Sequence, residues 1–190
     1  MSRLMKIIRV VTVPPIVVGV ILCLLYQEEP SVFGRRVHFI CSLICLVVFP
    51  LFAYVLQPLI PAYKDRGREG QRTLAMYFSV AGYFMGVLLS MVWEAPNTVW
   101  LIYMEYLLSG IVITIFNKCF HIKASGHACG ATAPFLFAYY FRLPMYVVWI
   151  VVLLFVYIAS IYTKRHTIVQ LVLGSGIATI LFILVEFWII

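Results

Sequence analysis

The chain has 190 residues, 64% of them hydrophobic and 11% charged, with a mean hydropathy of +1.05. A soluble domain carries about 25% charged and 45–50% apolar residues, so a water-soluble globule and a disordered chain are both excluded. The net charge of +7 rests on only 14 Lys and Arg, which suits the rim of a membrane protein better than a nucleic-acid interface.

Taken in chain order, the apolar runs predict an all-α, polytopic transmembrane bundle forming a single domain over residues 1–190. A span needs about 20 apolar residues. Ile7–Tyr26 is the first; no small-x-small cleavage site precedes Gln27, so it reads as a retained span, bent at Pro14-Pro15. Val37–Ile60, Leu74–Trp93 and Val99–Asn117 follow. His127–Phe141 is apolar but only 15 residues long, short enough to be buried against its neighbours or partly re-entrant. Met145–Tyr162 and Thr167–Ile190 complete six full spans plus one short helix. The five cysteines (Cys23, Cys41, Cys45, Cys119, Cys129) make no CxxC pair, and neither disulfides nor a metal site is expected.

Counting Lys and Arg sets the orientation. With the N-terminus inside, eleven cations (Arg3, Lys6, Arg9, Lys64, Arg66, Arg68, Arg72, Lys118, Lys123, Lys164, Arg165) lie on one side and three (Arg35, Arg36, Arg142) on the other. The richer side is expected to be cytoplasmic.

That same side gathers three polar segments, Lys64–Arg72, Lys118–His127 and Lys164–Gln170, each leading into an apolar helix whose N-terminal amides suit an anion. In Lys123-Ala-Ser125-Gly126-His127, Gly126 permits close backbone approach, Ser125 offers a hydroxyl and Lys123 a charge. His127 fits a general acid; the plain alternative is a capping Ser followed by an interfacial His. His166 and Gln170 are four apart and share a helix face, so the Gln170 amide oxygen can accept from Nδ1–H and leave Nε2 free as a nucleophile. The alternative here is an interfacial His beside two snorkelling cations. Lys64, Arg68 and Arg72 would form a one-faced phosphate clamp if their segment is helical, or ordinary anchoring charges otherwise. Glu105 lies inside the fourth span and must face protein or a cavity, with a bond to a neighbouring helix expected. His38 and His121 show no partner in the sequence.

At these residues the chain resembles the type-2 phosphatidic acid phosphatase family, whose fold is shared with vanadium haloperoxidases. Ser125-Gly126-His127 is similar to the family's Ser-Gly-His motif. His166 to Gln170 has the spacing of its third motif, with Gln where Asp is usual. A small bacterial branch is closer still, with Lys123-x-Ser125-x-His127 and His166-Thr167-x-x-Gln170. The chain departs from the family at two points: the 64–72 loop does not keep the first motif's spacing, and Ser160 stands where an Arg is expected, with Lys164 or Arg165 as possible substitutes. The resemblance implies a haloperoxidase-like core over residues 61–190, behind N-terminal spans in 1–60, in a bacterial plasma membrane. It implies metal-free, cofactor-free hydrolysis of a lipid phosphate (phosphatidate, phosphatidylglycerophosphate or a polyprenyl phosphate or diphosphate) through phosphohistidine at His166. The implied partners are that substrate and membrane lipids, with no nucleic acid. A non-catalytic binder or transporter of anionic lipids, and an inactive relative, remain as other readings.

Overall fold

The computed structural model describes residues 12–144 and 146–189, with only the backbone of Arg68. Its helices are α1 (Pro14–Glu28), α2 (Arg36–Leu59), α3 (Gly67–Val92), α4 (Asn97–Lys118), α5 (Gly126–Tyr140), α6 (Tyr146–Tyr162) and α7 (Ile168–Ile189), with one extra turn at Pro61–Lys64. No strand occurs among the described residues. Helix is the form an apolar chain must take in lipid, because each peptide group has to find its partner within its own segment. Among the described residues, four helices are long and apolar enough to cross a bilayer: α2, α3 over Glu69–Val92, α4 and α7. The apolar helices α1 and α6 are shorter.

The first predicted span is corrected at its start. Val13 is non-helical (φ −59°, ψ 131°) and Pro14-Pro15 take the first positions of α1, where a missing N–H breaks no hydrogen bond. The prolines therefore open a helix instead of bending one. Residues 7–11 of the predicted span lie outside the described residues. A second local departure has a similar cause. Pro50 cannot donate to the carbonyl one turn back, and α2 widens into a π turn over Ile44–Val48 just ahead of it.

Six helices close a ring in the order α1, α5, α7, α4, α3, α2, and α6 leans on α5 from outside. Glycines set the closest approaches. A Cβ on Gly82 of α3 would lie 2.3 Å from the Cys45 carbonyl oxygen in the π turn, and one on Gly86 would lie 2.0 Å from the Tyr103 ring of α4. The main core joins Ile21, Leu22 and Leu25 of α1 to Leu101 and Ile102 of α4, Phe137 of α5 and Phe182 of α7. The short α5 is largely internal: Ala128, Cys129, Ala131, Thr132, Ala133, Pro134, Phe137 and Ala138 are all buried. At 15 residues it is about 22 Å long, less than a bilayer core; its neighbours cover it. Its small side chains let four helices pack around it. Thr132 Oγ1 donates to Ser175 Oγ of α7 at 2.8 Å, and Ser175 also meets the Tyr157 hydroxyl of α6 at 2.8 Å.

The two edges of the bundle are unlike. At one edge, His38 is buried with Nδ1 2.7 Å from the Phe33 carbonyl, Arg35 donates to the Trp93 carbonyl, and Asn97 donates to the Ile189 carbonyl at 3.2 Å. These contacts tie three chain segments together. The opposite edge holds the three basic segments.

Candidate functional site

The site is built on the turn between α6 and α7. Arg165 N–H donates to the Ser160 carbonyl at 3.1 Å and Lys164 N–H to the Ile161 carbonyl at 2.9 Å, with Lys164 in the left-handed region at φ +51°. This is the Schellman arrangement that ends a helix and reverses the chain. It delivers His166, half-buried, immediately ahead of α7. Thr167-Ile-Val-Gln170 then forms a capping box: Gln170 N–H donates to Thr167 Oγ1 at 3.3 Å, and Thr167 N–H donates to Gln170 Oε1 at 3.3 Å. His166 Nδ1 lies 3.1 Å from that same Oε1. A backbone N–H can only donate, so the Thr167 contact identifies the side-chain atom as oxygen. Nδ1–H is therefore the donor, and Nε2 keeps its lone pair.

The second segment is locked against this turn. Asn117, near the end of α4, holds Ala124 by both amide atoms: Oδ1 accepts from Ala124 N–H at 3.0 Å and Nδ2 donates to its carbonyl at 3.2 Å. Ser125 N–H donates to the Gln170 carbonyl at 2.9 Å. Gly174 makes the approach possible, since a Cβ there would lie 2.2 Å from the Ser125 oxygen. The first turns of α5 and α7 thus lie side by side, with His127, half-buried, in one and His166 just ahead of the other. Gly126 and Lys123 are exposed. Ser125 is fully buried, and its Oγ caps α5 by accepting from Ala128 N–H at 3.2 Å.

Burial is the largest influence on His166, lowering its pKa below the ordinary 6.5; the Gln170 bond opposes this, and Arg72, Arg165 and Lys123 lower it further. Each of these cations comes from a different basic segment. The imidazole is consequently neutral at pH 7, oriented through Nδ1, and surrounded by positive charge. Such a group can attack an anionic electrophile whose negative charge the cations hold.

Two expectations need correction. Lys64, Arg68 and Arg72 do not lie on one continuous helix: Asp65 and Arg66 form a turn, and α3 begins only at Gly67, with φ +50°. Lys64 is therefore cut off from the α3 face that carries Arg68 and Arg72. Arg72 acts on His166. Glu105 is fully buried, but its Oε1 accepts from Ser109 Oγ of its own helix at 2.9 Å, not from a neighbouring one, and Oε2 has no partner. At the position of the expected Arg, Ser160 lies buried in α6. Between the two possible substitutes, Arg165 acts on the imidazole, while Lys164 is exposed in the left-handed turn.

The capping role of Thr167 and the clamp made by Asn117 emerge only in the structure. Thr-x-x-Gln ahead of an apolar run is a capping-box signal and was there to be found; no local pattern announces the Asn117 clamp. Among the described residues no three His, Cys, Asp or Glu side chains gather as a metal ion would require. Comparison with family models, curated proteins and solved structures gives no match, so the family resemblance rests on the motifs.

Proposed function

We propose that this protein is a membrane-embedded phosphatase of lipid phosphates with a haloperoxidase-like core and six full spans around the short α5. His166 is its nucleophile. The observation that carries this reading is the half-buried imidazole held through Nδ1 by Gln170, which leaves Nε2 as the nucleophile, with burial and one cation from each basic segment lowering its pKa. A surface that merely binds anions gains from a charged histidine and has no use for a neutral one.

In the proposed reaction Nε2 attacks phosphorus, the bond from phosphorus to the lipid oxygen breaks, and His127, protonated, gives its proton to the leaving alkoxide. Water then attacks the phosphohistidine, with His127 now accepting a proton, and inorganic phosphate leaves. Arg72, Arg165, Lys123 and amides at the N-termini of α5 and α7 stabilise charge on the equatorial oxygens. Lys64, exposed ahead of α3, attracts the headgroup from further out. The buried Ser125 contributes by fixing the start of α5, and Gly126 leaves its amide open to approach. The basic edge faces the cytoplasm.

Phosphate release from a panel of lipid phosphates tests the proposal. Wild type should be active with EDTA present, and His166→Ala should lose at least about 1000-fold in kcat while still binding the lipid. Unchanged turnover in His166→Ala would overturn the nucleophile assignment. Binding of the lipids without phosphate release by wild type would favour a transporter.

A further inference from the structure

Between α3 and α4 a groove of about 220 Å³ is lined by Met76, Tyr77, Val80, Ile111, Thr114 and Ile115. Its upper end is cationic by helix geometry. Arg72, Met76 and Val80 are spaced i, i+4, i+8 on α3, so the face that carries the guanidinium continues down into the groove. On α4, Ile111, Ile115 and Lys118 follow one another on the corresponding face, and Lys118 Nζ donates to the Tyr77 hydroxyl at 3.0 Å. Thr114 Oγ1, which donates to the Gly110 carbonyl, lies 3.4 Å from Met76 Sδ across the groove, and lower down Gly110 brings α4 within 3.5 Å of a Val80 methyl, measured from a Cβ placed on that glycine. From Arg72 to Val80 is about 12 Å along the axis. Two helices held this close leave between them a narrow groove that suits a single hydrocarbon chain.

Arg72 links the groove to the chemistry, since it is also one of the cations acting on His166. We infer that the groove seats the chain of a single-chain lipid phosphate, alkyl or isoprenyl, with its phosphate held by Arg72 and Lys118 on the way to His166. The inference rests on the phosphatase reading for the direction in which the phosphate points. Charge complementarity selects the occupant: an apolar tail below two cations suits a phosphate monoester, whereas a zwitterionic bulk lipid would bring its own ammonium group to Lys118.

The test uses hexadecylphosphonate, which cannot be hydrolysed, carrying a mid-chain diazirine and added to the full-length wild type in phosphatidylcholine vesicles. After irradiation, adducts should map to residues 76–80 and 111–115. They should fall roughly tenfold with excess unlabelled hexadecylphosphonate and persist with excess hexadecanol. Adducts elsewhere, or groove adducts that hexadecylphosphonate does not displace, would overturn the inference. Ile111→Trp, which fills the groove, should weaken hexadecylphosphonate roughly tenfold, the equivalent of about two methylenes left unburied, with butylphosphonate unaffected. Equal affinity of wild type and variant for the long chain would also overturn it. The two proposals fail separately: displaceable groove adducts without phosphate release on any substrate would remove the phosphatase, and phosphate release with adducts elsewhere would remove the groove.

Discussion

Gln170 serves two neighbours with one oxygen. Its Oε1 accepts from Thr167 N–H to cap α7 and from His166 Nδ1–H to hold the ring. Glu is the other residue that completes a capping box, so Gln170→Glu should keep the helix start while placing a carboxylate against the imidazole. That carboxylate favours the imidazolium and raises the His166 pKa, so the acid limb of the kcat/KM profile should move to higher pH. An unmoved limb would separate Gln170 from His166. Arg72→Ala should move the limb the same way, because it removes a charge that lowers the His166 pKa, and should raise KM besides. The stability consequence has a definite sign. With the folded pKa below 6.5, the unfolded chain binds more protons in the window beneath that value, and stability is lost as pH falls through it. His166→Asn should flatten that part of the pH–stability curve in detergent.

Among the elements, α5 was the most legible and the start of α1 the least. A 15-residue apolar stretch is too short to cross a bilayer core, and that length marks a helix to be covered by its neighbours. The Pro14-Pro15 pair was misplaced because a proline reads the same whether it bends a helix or opens one; the non-helical Val13 decides between them. The single helical face expected for Lys64, Arg68 and Arg72 is absent for a related reason. Cation spacing assumes a continuous helix, and Gly67 with its positive φ breaks it. The contact of α7 with the start of α5 could not be read at all, since it depends on two segments 49 residues apart (Ser125 and Gly174) meeting through a missing side chain. Gly174→Ala forces a Cβ to within 2.2 Å of a backbone oxygen, which neither helix can relieve by rotating a side chain. Unfolding in detergent should show a loss of about 1–3 kcal/mol. Because Ser125 N–H is held by the Gln170 carbonyl, the same change should reduce turnover more than it reduces stability. A variant of wild-type stability and activity would show that the two helices are free to part.

At the scale of the whole molecule, the ring of six helices turns the distribution of charge into an architecture. Eight of the eleven cations counted on the basic side (all but Arg3, Lys6 and Arg9) fall in described residues, and they belong to the three connections that bring charge to His166. The other edge carries Arg35, Arg36 and Arg142, and Arg35 is engaged with the Trp93 carbonyl. Lys and Arg near span ends are retained on the cytoplasmic side, each charge adding to the bias. The charges that would bind a phosphate and those that orient the chain are therefore the same, and one experiment can ask whether they agree. Cys119 is exposed at the end of α4 on the basic edge, and Glu29 is exposed between α1 and α2 at the opposite edge. In a chain whose other cysteines are replaced, a membrane-impermeant maleimide added to intact cells should leave Cys119 unlabelled until the membrane is opened. Glu29→Cys, in a chain that also lacks Cys119, should react at once. The reverse pattern would put the basic edge outside, and the substrate would then have to be a lipid phosphate of the outer leaflet. Labelling of both positions in intact cells would mean that the chain inserts in two orientations, and the eleven-to-three bias would then belong to the anion site alone.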